Sequence, residues 1–155
     1  MKIHRGRISL DEFEYLRNIP LVIMGIFLTS YCPVNCNHCA VSASSLARPV
    51  VPNLLFEQAL EMSKIPSLRA VVITGGEPFS MLNDLIKLIT IFNENHIRII
   101  ICTSGFWGQS PFILQEIKPY FPMVDGLIYG IDLFHRHRIS DDVLISALRH
   151  SSESG

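Results

Sequence analysis

The sequence predicts an α/β protein built on parallel strands. Three observations carry this. Short β-branched apolar runs alternate with amphipathic helical patterns four times along the chain. The runs are continuously apolar, as expected of strands covered on both faces. Each is followed by a polar or glycine-rich stretch. Parallel strands joined by right-handed crossovers bring those stretches to one edge, where an open sheet or a barrel places its ligands.

The elements follow in order. Residues 1–19 form a preamble with a helix signal only at LDEFEYLR, and 20–150 form the body. PLVIMGIFL is the first strand. NLLFEQALEMSK is a helix with Asn53 as its N-cap and Pro66 beyond its end. AVVIT, too short and too β-branched for a helix, is the second strand. SMLNDLIKLITIFNEN carries a helical stripe at Leu82, Leu85, Ile86, Ile89 and Phe92. IRIIICT is the third strand, and FILQEIKPYF a short helix after it. GLIYGIDL is the fourth strand, and SDDVLISALRH, capped by Ser140, the last helix. Residues 151–155 read as a frayed tail.

Composition narrows the class. The chain has 155 residues, 48% of them hydrophobic and 17% charged, so it has the makings of one packed domain. Its mean hydropathy is +0.32. A net charge of −1 gives no footprint for nucleic acid or an anionic membrane, and the trio Arg136, His137, Arg138 reads as solvated surface. No run reaches the eighteen or so apolar residues of a membrane span. Residues 19–28 follow the acidic DEFE and precede no small-residue cleavage site, and bulky Tyr31 argues against a lipoprotein signal at Cys32. A cytoplasmic protein is expected. In a reducing compartment, the clustering of three of the four cysteines points to metal rather than to disulfides.

That cluster is CPVNCNHC, with Cys32, Cys36 and Cys39 in a C-x-x-x-C-x-x-C spacing on the loop after the first strand. Such a loop lets three sulfurs turn toward one point. A four-iron cluster ordinarily takes four thiolates, so three leave one iron free to bind something else. Zinc, completed by His38 or Cys102, is the competing occupant, although His38 is awkwardly placed beside Cys39 and paired C-x-x-C knuckles are absent. Inert thiols are the third reading. Cys102, ending an apolar strand, reads as a small buried hydrophobe.

CPVNCNHC after a first strand, with TGGEP after a second, resembles the radical S-adenosylmethionine (radical SAM) superfamily. The resemblance implies that Cys32, Cys36 and Cys39 hold a 4Fe-4S cluster whose open iron is chelated by the methionyl group of S-adenosylmethionine. Reductive cleavage would then yield a 5′-deoxyadenosyl radical that abstracts hydrogen from a substrate. It implies an electron donor, flavodoxin- or ferredoxin-like. By motif, His38 lies near the adenine, and Gly75, Gly76, Glu77 and Pro78 meet the methionyl amine. Thr103, Ser104 and Gly105 form a small polar turn close to the cofactor, and Asp132 borders its site. Arg138 or Arg136 faces the methionyl carboxylate, and His135 and His137 are candidate proton carriers. Phe106 and Trp107 read more simply as core aromatics than as pocket walls.

The family core is a partial barrel of about six strand–helix units, and this chain supplies four, over residues 20–150. The fourth strand is therefore expected to show an open edge. That implies a fragment of a longer product, a homodimer covering the edge, or marginal stability. Three functions stay in play: a radical SAM enzyme or its catalytic half, a non-catalytic iron–sulfur and S-adenosylmethionine-binding protein, and a zinc-binding structural module. The substrate is unknown. Peptide modification is favoured by the short likenesses CNHC, TGGEP and DLFH.

Overall fold

The computed structural model describes residues 8–50 and 52–153. The start of the expected preamble and the last two residues of the expected tail lie outside them. Four strands form one sheet in the order β1-β2-β3-β4, all parallel: β1 Ile23–Phe27, β2 Ala70–Thr74, β3 Arg98–Thr103 and β4 Gly126–Tyr129. Among the described residues six α-helices accompany them: α1 Leu10–Leu16, α2 Leu55–Ser63, α3 Leu82–Glu94, α4 Pro111–Ile117, α5 Leu133–Arg136 and α6 Asp141–Glu153. The α/β class and the four strand–helix units are as expected, in an arrangement consistent with part of a radical SAM barrel.

Strand register sorts the side chains by face. Ile26, Val71, Ile73, Ile99 and Ile101 join the main core with Leu55 and Ala59 of α2 and Leu85, Leu88, Ile89 and Phe92 of α3. Those four α3 side chains are fully buried. Burying each contributes about 1.5–3 kcal/mol. The opposite face departs from expectation. Phe27 and Ile128 there are respectively 40% and 45% exposed, so the described residues cover only one face completely. At the start of the strands this second face is anchored to the preamble, where Glu12 of α1 pairs with Arg98 at 2.5 Å. At the strand ends it opens into the site.

Local chemistry sets the element ends. Ser9 caps α1, its Oγ accepting from Glu12 N–H at 3.1 Å. Asn53 does not cap α2. The chain turns at residues 52–55, with Leu55 N–H donating to Pro52 O, and the cap position falls to Leu54 without a side-chain bond. The helix expected over 112–121 stops at Ile117, because Pro119 and Pro122 lack donors, and continues as a 3₁₀ stretch over Lys118–Met123. The fourth strand stops at Tyr129, short of the expected 133. Asp132 captures the N–H groups of Phe134 and His135 and starts α5 instead. The tail does not fray at 151: α6 runs through Glu153, and Tyr129 Oη donates to Ser151 Oγ at 3.0 Å.

Candidate functional site

The loop after β1 is stitched at its base. Tyr31 pairs with Ser44 in an isolated parallel bridge, Cys32 N–H donates to Ser44 O, and Ser44 N–H donates to Ser30 O, both at 3.1 Å. The closed loop carries Cys32, Cys36 and Cys39. Inside it, Cys39 N–H donates to Cys36 O, and Cys39 Sγ accepts from Ala43 N–H at 3.3 Å. Burial pushes the Cys32 thiol above its ordinary value, against the pull of the Asn35 and Val34 backbone. Burial also raises Cys36, helped by the negative charges of Cys32, Asp132 and Cys39. Such thiols keep their protons until a positive centre displaces them.

The double-glycine turn after β2 lies directly under that loop. Gly76 N–H donates to Thr29 O at 2.5 Å and Glu77 N–H to Tyr31 O at 2.9 Å. A Cβ at Gly76 would stand 2.1 Å from Tyr31 O, and one at Gly75 2.7 Å from Thr29 O; Gly75 also has φ 139°. The glycines are thus required by contact between two backbones of the chain itself, before any ligand is considered.

Glu77 is 1% exposed and locks this turn to β3. Its Oε1 accepts from Thr103 Oγ1 at 2.8 Å and from Phe79 N–H at 3.3 Å. Its Oε2 accepts from Ser104 N–H at 2.9 Å and from Ser104 Oγ at 2.5 Å. Thr103 Oγ1 in turn accepts from Trp107 Nε1 at 3.1 Å. Burial pushes the Glu77 carboxyl above its ordinary value, and the four donors pull it back part of the way.

Cys32, Cys36, His38, Cys39, Gly75, Gly76, Glu77, Thr103 and Ser104 all line one cavity of about 340 Å³. The size is that of a small-ligand site. The thiols and the glycine turn thus face the same space. A tetrahedral zinc would hold sulfurs about 3.8 Å apart. Among the described residues only His38, Asp132 and His135 bring three ligand atoms within 4.8 Å of one another. Among the described residues the three thiols do not form so compact a set.

Several side chains sit elsewhere than expected. Cys102 is not a core hydrophobe: it is half-buried, lines the cavity and bonds with the Thr74 side chain. Sequence reasoning missed it because its position in an apolar strand says nothing of the face it takes. Tyr129, also unremarked, forms cavity wall, and burial pushes its hydroxyl up to about 12. Pro78 is buried at the start of the 3₁₀ turn Pro78–Met81 and is absent from the cavity wall. Arg136 is held by Asp141 at 2.8 Å and is not free for a carboxylate. Arg138 is exposed and outside the cavity, its charge acting on Cys36. Trp107 is fully buried and stacked on Phe79 with ring centres 4.6 Å apart, so it is core as expected. His38 leaves the loop to stack on Phe134 at 4.4 Å, with Nε2 3.6 Å from Asp132 Oδ2.

Comparison with known proteins agrees with this geometry. The chain is 27% identical over 134 residues to the Putative peptide biosynthesis protein YydG of Bacillus subtilis, covering 83% of this chain and 41% of that protein. It is 29% identical over 124 residues to the Dual-specificity RNA methyltransferase RlmN of Nitratiruptor sp., covering 72% of this chain and 32% of that one. The chain spans less than half the length of these curated relatives. The family model of the Radical SAM superfamily matches residues 26–146, from within β1 to within α6. The chain belongs to the radical SAM superfamily.

Proposed function

We propose that Cys32, Cys36 and Cys39 hold a 4Fe-4S cluster, that S-adenosylmethionine binds beside it against the double-glycine turn, and that the chain is the radical-generating part of an enzyme. The observation that carries this reading is the single cavity shared by the three thiols and Gly75, Gly76 and Glu77. Held by Cys32, Cys36 and Cys39, a reduced cluster would supply the electron for reductive cleavage of S-adenosylmethionine and so the radical chemistry for hydrogen abstraction from substrate. The chain supplies binding and orientation. Gly75 and Gly76 bring backbone to the cavity wall, where carbonyl oxygens suit a cationic amine. Glu77 holds that backbone in place through Thr103 and Ser104. The half-buried wall of Cys102 and Tyr129 limits water.

The substrate we propose is a peptide. The net charge of −1 fits an uncharged or basic partner better than RNA, and one relative is named for peptide biosynthesis. An electron donor, flavodoxin- or ferredoxin-like, and a cytoplasmic setting complete the reading; no helix among the described residues is long and apolar enough to cross a membrane. A second reading is a chain that binds a cluster and S-adenosylmethionine but cleaves nothing.

Anaerobic reconstitution with iron and sulfide, then reduction with S-adenosylmethionine, tests the proposal. A four-iron absorption band with release of 5′-deoxyadenosine is expected. A cluster without release supports the second reading, and a colourless protein that keeps zinc rejects both. Cys36→Ala is expected to abolish the band, whereas Cys102→Ala keeps it; equal loss in both would refute the ligand assignment.

A further inference from the structure

The tightest group of ligand atoms in the described chain does not belong to the cysteine triplet. His38, Asp132 and His135 each offer one atom, and all three lie within 4.8 Å of one another. Asp132 Oδ2 is 2.7 Å from His135 Nδ1 and 3.6 Å from His38 Nε2. We propose that these three residues form a separate site for one first-row divalent cation, such as Zn²⁺ or Fe²⁺, at the mouth of the cavity.

The donor set fits. Two imidazoles and one carboxylate suit zinc and ferrous iron, and three protein ligands leave further positions open. Tetrahedral bonds near 2.1 Å put neighbouring ligand atoms about 3.4 Å apart, so an ion needs the 2.7 Å pair to open and the widest separation, within 4.8 Å, to close. The side chains are already oriented. Asp132 Oδ1 accepts from the N–H groups of Phe134 at 2.9 Å and His135 at 3.2 Å, which leaves Oδ2 for the two rings. The His38 ring is braced face to face on Phe134. The His135 ring rests on Gly130, where a Cβ would stand 2.7 Å from Cε1, so only glycine gives it room.

Bare ion pairing explains this convergence poorly. Asp132 and His38 are exposed, and pairs of that kind contribute about 0–1 kcal/mol. An ion would instead join two segments remote in sequence, the cysteine loop and the start of α5. None of its ligands is a cysteine, so the site stands whether or not the cluster reading holds.

Co²⁺ titration tests it in the full chain bearing Cys32→Ala, Cys36→Ala, Cys39→Ala and Cys102→Ala, which removes every thiol. One Co²⁺ per chain is expected, with d–d absorption and no sulfur charge-transfer band. Adding Asp132→Asn or His135→Ala is expected to weaken binding at least about tenfold. No Co²⁺ uptake, or unchanged affinity after His135→Ala, overturns the proposal. If the cysteine-free variant does not fold, dialysis of the wild-type chain against Zn²⁺ decides: it is expected to retain one ion more than His135→Ala, and equal stoichiometries overturn the site.

Discussion

Glu77 accepts two hydrogen bonds on each carboxylate oxygen, which fills its acceptor capacity within the protein. Glu77→Ala would strand several buried donors and is expected to cost about 3 kcal/mol or more in urea unfolding. Glu77→Gln sets an amide donor against a ring of donors and should cost about 1–3 kcal/mol. The native carboxyl keeps its proton above the ordinary value of 4.5. The native state then binds more protons than the unfolded one, so this contribution is full below 4.5 and is lost as pH rises through the raised native value. Glu77→Gln should flatten that decline, and unfolding free energies measured from pH 4.5 upward would reveal it. Gly76→Ala meets backbone rather than a side chain, so no rotamer relieves it; it is expected to lose about 1–3 kcal/mol and to reconstitute no cluster. TGGEP was legible as a tight turn after the second strand. The polar turn at TSG was read as well, but its bonds to Glu77 were not, because a bond between the ends of two strands leaves no local pattern.

Among the elements, those with the plainest sequence signals matched best. AVVIT became β2 residue for residue, and Leu85, Ile89 and Phe92 of the expected stripe joined the buried face of α3, with Leu88 in addition and Leu82 and Ile86 only partly buried. Phe92→Ala, at the C-terminal end of that face, is expected to cost about 3–5 kcal/mol by thermal or urea unfolding while leaving the thiols in place. Misread ends share a cause: competition by one side chain or one ring. Pro119 ended α4 early, Asp132 stopped β4 and began α5, and Asn53 lost the cap of α2 to a turn at Pro52. The last of these errors left the site intact. The second shaped it, because α5 carries His135 and Phe134 to His38.

At the scale of the molecule, the order β1-β2-β3-β4 leaves the outer edge of β4 unpaired among the described residues. Close by, Ile131, Leu133 and Phe134 are each more than half exposed. Apolar surface beside a free strand edge favours association. The isolated chain is expected to show concentration-dependent sedimentation, and Ile131→Lys with Leu133→Lys to shift it toward monomer; a monomer at every concentration rejects this. Four parallel units, and the gathering of every unusual loop on one rim, could be read from the alternation of runs alone. The open second face could not, since a continuous apolar run looks the same whether it is covered by helices or faces a cavity. The bonds from Glu77 to Thr103 and Ser104 have one more consequence. They rivet the exits of two central strands into a fixed jaw, so that widening or narrowing of the mouth falls to the cysteine loop on one side and the α5 corner on the other.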